Sequence, residues 1–89
     1  MPQPPDRTMA GWTWTKRRRG CWVRDLEGTR LRLVLLRSRD GLWAANAVLP
    51  RAGQRGGALV VWQVRGHSSA GGAAHAVRTW ADNPLRFTP

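Results

Sequence analysis

Ala58-Leu59-Val60-Val61-Trp62-Gln63-Val64-Arg65 runs through Gly66-His67 and Ser68-Ser69 into Ala70-Gly71-Gly72-Ala73-Ala74-His75-Ala76-Val77-Arg78-Thr79-Trp80, and the reading of this stretch decides the fold. The first eight residues are mostly aliphatic, β-branched or aromatic, and the run is too short for a typical helix, so it reads as a strand. Gly66 and His67 form a corner, after which Ser68 or Ser69 caps a helix by accepting from an orphan backbone N–H. From there the apolar residues fall at Ala70, Ala73, Ala74, Val77, Trp80 and Ala81, one face of a 3.6-residue period. Asn83-Pro84 ends the pattern, because the residue before a proline is driven out of the α region. The expected helix spans about residues 69–82.

Working back from this strand, Pro50 to Gly57 is a Pro- and Gly-rich loop whose charges are Arg51 and Arg55. Leu42 to Leu49 reads as a strand with Trp43, Ala45, Ala47 and Leu49 on one face and Leu42, Ala44, Asn46 and Val48 on the other. Asp40-Gly41 is a hairpin signal joining it to Thr29–Ser38. In that earlier strand Leu31, Leu33 and Leu35 share one face, opposite Arg30, Arg32 and Val34. Asp25 to Gly28 supplies a turn after the strand-like Cys21 to Arg24. Trp12 to Thr15 alternates as an edge strand with both rings on one face, and Lys16 to Gly20 forms a basic tip between the two.

Pro2, Pro4 and Pro5 make residues 1–11 a disordered leader, residues 12–83 form one domain, and residues 84–89 are a short tail. The expected fold is α+β: an antiparallel meander of three or four strands packed against one C-terminal helix. The last strand carries a conflict. Val60, Trp62 and Val64 alternate with Leu59 and Val61, so both of its faces are apolar, as in a strand covered twice or covered by a partner.

The chain carries a net charge of +10, and fourteen of its fifteen basic residues are arginine, Lys16 being the exception. Such a charge gives a strong positive field that attracts polyanions. Six tryptophans serve a small domain whose core is marginal, each burying on the order of 200 Å². Cys21 is the single cysteine, which excludes an internal disulfide and suits a reducing cytoplasm. No apolar run approaches the roughly 20 residues of a membrane span, and no secretory signal precedes Arg17.

Catalytic chemistry finds no support. Asp25 and Glu27 sit two apart in a turn, where they serve the turn rather than acid–base work. His67 beside Ser68 and Ser69 lacks an orienting acid, so the serines read as caps. One cysteine with His67 and His75 matches no zinc spacing, and no phosphate-cradling Gly-rich loop ends in Lys-Ser or Lys-Thr. The expectation is a non-enzyme with no cofactor and no metal.

Nucleic acid is the partner the residues favour. In simple register one sheet face collects Arg30, Arg32, Asn46, Gln63 and Arg65, side chains whose planar groups match base edges. Lys16, Arg17, Arg18 and Arg19 at the tip, with Arg51 and Arg55 in the loop, would hold phosphates to either side. Trp12 and Trp14 flank the basic run, as a base-stacking platform requires; the competing reading has them capping a small core.

Two segments resemble the three-strand-plus-helix DNA-binding domains of plant ethylene-response factors and of the arm-site-binding domains of phage integrases. Trp43-Ala44-Ala45-Asn46-Ala47 is similar to their aromatic-x-Ala-x-Ile middle strand. Ser69-Ala70-Gly71-Gly72-Ala73-Ala74-His75-Ala76-Val77 is similar to their Thr-Ala-Glu-Glu-Ala-Ala-Arg-Ala-Tyr helix start, with Gly71-Gly72 in place of the two glutamates. The likeness covers roughly Leu31 to Trp80. It implies a sheet that reads the major groove, with Asn46 and Val48 as the readers.

The sequence therefore leads to a small cytoplasmic DNA-binding protein, phage- or plasmid-derived, with DNA favoured over RNA. The alternative is a phage-encoded protein-interaction module or inhibitor of a host or defence complex, motivated by the abundance of Trp and Arg, residues enriched in interface hot spots. A protein partner or homodimer stays open under either reading; a membrane partner does not.

Overall fold

The computed structural model describes residues 6–50 and 58–83. Six strands and one helix follow in chain order: β1 (Asp6–Met9), β2 (Trp12–Arg18), β3 (Cys21–Asp25), β4 (Arg32–Arg37), β5 (Trp43–Pro50), β6 (Ala58–His67) and α1 (Ala70–Ala81). The strands form one sheet in the order β1 to β6, every neighbouring pair antiparallel. The α+β meander stands, but the sheet is larger than three or four strands. Part of the extra comes from β1, which lies within the residues read as a leader and pairs with β2 from Asp6↔Thr15 to Met9↔Trp12.

Two faces follow from the register. Leu33↔Ala47 and Leu35↔Ala45 pair on one side of β4 and β5, and all four side chains are fully buried. Helix α1 covers this face with Ala70, Ala73, Ala74, Val77 and Ala81, the stripe that the 3.6-residue period marks out. Small side chains on both surfaces let the helix approach the sheet closely. Trp14 fills the remaining space near β1 and is fully buried, its Nε1 donating to the Met9 oxygen at 3.1 Å. Ser69 is the N-cap: its Oγ accepts from the Gly72 N–H at 3.0 Å.

The helix reaches both edges of the sheet within one turn. Trp80 stacks on Trp62 of β6, with ring centroids 5.3 Å apart and planes 15° apart. Arg78 donates to the Ala10 oxygen in the β1–β2 turn. Edge strands of a flat six-stranded sheet lie about 24 Å apart, against a helix about 10–12 Å across. The sheet therefore curls around the helix, while β1 and β6 stay unpaired with each other.

The register irregularity in β6 resolves the two-sided pattern. Ala47 pairs with Trp62 but Val48 pairs with Val60, leaving Val61 as the extra residue of a bulge. Trp62 and Val64 thus face the helix while Val60 turns to the other face. Leu59, Val60 and Val61 remain 45%, 52% and 44% exposed on this edge strand.

Candidate nucleic-acid interface

The face away from the helix is built of cross-strand rows. Thr15, Val23, Val34, Asn46 and Gln63 form the central row. Asp25, Arg32, Val48 and Val60 form the row on one side of it. Arg18, Cys21, Leu36 and Ala44 form the row on the other. A bulge in β2 makes Arg17 the extra residue, and so brings Arg18 rather than Arg17 into line with Cys21. A second bulge sets Arg65 and Gly66 against Ala44.

A groove of about 620 Å³ opens at this end of the sheet. Arg18, Arg37 and Arg65 supply its positive charge, and Leu36 and Ala44 supply apolar floor. Asn46 and Gln63 also line it. In a meander, alternate turns share an end of the sheet, so the β2–β3 tip lies beside the β4–β5 turn. Arg37 joins them, its N–H donating to the Gly20 oxygen at 2.9 Å. Arg17, Arg19 and Arg39 are exposed on or beside the same two turns. Among the described residues, only Arg32 and Arg78 form ion pairs with carboxylates, so the three exposed groove arginines make none, although Asp40 also borders the groove.

The β4–β5 turn that walls the groove is held by Asp40. Its Oδ1 accepts from the Ser38 hydroxyl and from the Leu42 N–H at 3.0 Å. Those two bonds, the hydroxyl first, hold the carboxyl below its ordinary range. Gly41, at φ 83°, completes the turn.

Asn46 is 6% exposed and its Oδ1 accepts from Gln63 Nε2. The remaining donor capacity of Asn46 at Nδ2 and the acceptor oxygen of Gln63 have no partner among the described residues. The expected exposed reader is therefore a recessed one, at the base of a groove rather than on an open face.

The other expected residues disperse. Arg32 lies at the opposite end of β4 and bonds Asp25 Oδ1 at 3.1 Å, while Arg30 precedes the strand at that same end. Lys16 lies on the helix face, its Nζ 6.0 Å from the centre of the Trp22 ring. Arg51 and Arg55 lie outside the described residues. Trp14 is core rather than a stacking platform. Trp12 packs against the core and is crowded by two guanidiniums, Arg24 at 4.6 Å and Arg78 at 5.2 Å from its ring centre. Reading the sequence misses Arg37 and Arg39, although the shared end of alternate hairpins would have placed them beside the Lys16–Gly20 tip.

No protein-family model matches the chain, and no curated protein or solved structure is significantly similar to it.

Proposed function

We propose that this protein binds nucleic acid, DNA before RNA, through the arginine-lined end of its sheet. The observation that carries the reading is the groove itself: Arg18, Arg37 and Arg65 line one depression, three arginines to the single carboxylate of Asp40, and none of the three is in an ion pair among the described residues. Arg17, Arg19 and Arg39 extend the positive surface around it. Guanidinium groups bind phosphate oxygens in forked geometry, and gathering them at one end gives the field a direction. The earlier-noted likeness to three-strand-plus-helix DNA-binding domains points the same way. Titration of labelled duplex and single-stranded DNA at rising salt tests it. Engaging three phosphates gives a log–log slope of about −2 to −3, and failure to bind either probe at low salt rejects the reading.

A second reading is a protein-interaction module. It is favoured by Leu59, Val60 and Val61, exposed on an edge strand whose outer side no other described strand pairs with, the kind of edge to which a partner strand can add. Replacing Val60 with lysine would abolish a protein contact there and leave DNA binding intact.

A further inference from the structure

We infer that the groove takes one unpaired nucleotide of a nucleic-acid strand, an inference that rests on the nucleic-acid reading and narrows its substrate. The chemistry of the groove matches the three parts of a nucleotide. Arg18, Arg37 and Arg65 offer cationic forks to phosphate. Leu36 and Ala44 give an apolar surface for the face of a base. Asn46 and Gln63 give its edge a donor and an acceptor side by side.

Asn46 decides between a paired and an unpaired ligand. It is more than nine-tenths buried, and its amide nitrogen has no partner among the described residues. An unpaired donor at that depth is costly unless something enters to accept from it. A stacked base pair keeps its edges recessed within the duplex, behind phosphates that would meet the arginines first. Gln63 itself is exposed on the edge strand; it is the buried Asn46 Nδ2 beside it that a base meets by leaving the stack, as nucleotides do when they are extruded or already single-stranded. The volume of about 620 Å³ lies within the range of about 300–1,000 Å³ that accepts small ligands. Asp40 also borders the groove, and its carboxylate is engaged by Ser38 and Leu42.

The test uses the full chain and three labelled duplexes of one sequence: fully paired, with one bulged nucleotide, and with the same bulge made abasic. Each is prepared as DNA and as RNA, and binding is read by fluorescence polarisation at fixed low salt. The bulged probe is expected to bind about tenfold tighter than either other probe, the scale of the hydrogen bonding its base edge gains at Asn46 and Gln63. The DNA and RNA sets identify which strand supplies the nucleotide. Gln63→Leu should bring the bulged probe down to the abasic one and leave the fully paired probe unchanged. Equal affinity for all three duplexes overturns the inference while the nucleic-acid reading survives; no binding to any of them removes both. Should Gln63→Leu fail to fold, the comparison of probes on the unaltered chain still decides.

Discussion

Arg78, near the end of α1, donates from Nη1 to the backbone oxygen of Ala10, sixty-eight residues earlier. Its guanidinium also lies over the Trp12 ring, and its Nε donates to Asp82 Oδ2 at 3.4 Å. One side chain thereby ties the helix to the first hairpin and to its own C-terminal turn. Replacing Arg78 with alanine should cost about 1–2 kcal/mol in chemical denaturation, the scale of a charge-assisted hydrogen bond on a half-exposed group. Arg78→Lys should recover only part of this, because one ammonium cannot fork between Ala10 and Asp82. An unchanged denaturation midpoint in the alanine variant would show that the tie contributes nothing.

The turn that Arg78 braces is itself strained. Ala10 and Gly11 hold φ of 52° and 75°, positive at both central positions of a two-residue hairpin. Alanine is unfavourable there, whereas asparagine tolerates the conformation. Ala10→Asn should stabilise the protein by about 0.5–1 kcal/mol. Gly11→Ala should do the reverse, since a Cβ would overlap Arg78 Nη1 in addition to the strain. Thermal melts of the two variants should move in opposite directions.

That same turn explains what could and could not be read in advance. The helix stripe from Ala70 to Ala81 and the inward set Leu33, Leu35, Ala45 and Ala47 were legible because their periods, 3.6 and 2, have no competing reading. β1 was not, because Asp6-Arg7-Thr8-Met9 has a single apolar residue and its turn is Ala-Gly rather than Asn-Gly. Its pairing is instead fixed by distant partners: Met9 joins the core and Arg78 holds the turn. The candidate site was half legible. Arg18, Gln63 and Arg65 do come together, but only through bulges in β2 and β6, and strict alternation carries no sign of a bulge.

Gly71 and Gly72 stand in the first turn of α1, where glycine costs about 0.8–1 kcal/mol relative to alanine. A Cβ at Gly71 meets nothing within 4 Å, so Gly71→Ala should return most of that stability. At Gly72 a Cβ would come within 3.3 Å of Ser69 Oγ and 3.4 Å of His67 Nδ1, pressing on the cap that starts the helix. Gly72→Ala should therefore gain distinctly less than Gly71→Ala, or lose stability. Equal gains in melting temperature would show that the cap yields freely.

Asp40 links the groove wall to pH. Its folded pKa lies below the unfolded value because the ionised carboxylate accepts from the Ser38 hydroxyl and the Leu42 N–H. A depressed carboxyl stabilises the fold above its unfolded pKa, and that contribution disappears as pH falls through the folded one. The stability gap between the unaltered protein and Asp40→Ala should thus be constant above about pH 5 and narrow below about pH 4. Denaturation midpoints of both proteins across that range check the sign; a gap that widens on acidification contradicts it.

The two ends of β4 carry arginines in different circumstances, which gives the groove an internal control. Arg37 lines the groove and meets no carboxylate, whereas Arg32, at the far end, is paired with Asp25 at 3.1 Å. If phosphates are held at the groove end, removing Arg18, Arg37 or Arg65 should make the log–log salt slope shallower by about 0.7–0.9 per residue. Removing Arg30 or Arg32 should change it little, although each substitution lowers the net charge by the same amount. All five side chains are at least partly exposed, so the fold should survive each change. The contrast separates a localised site from a response to total charge. Binding to a diffuse positive field would weaken similarly in all five variants, and a uniform loss would place the strand nowhere in particular on the surface.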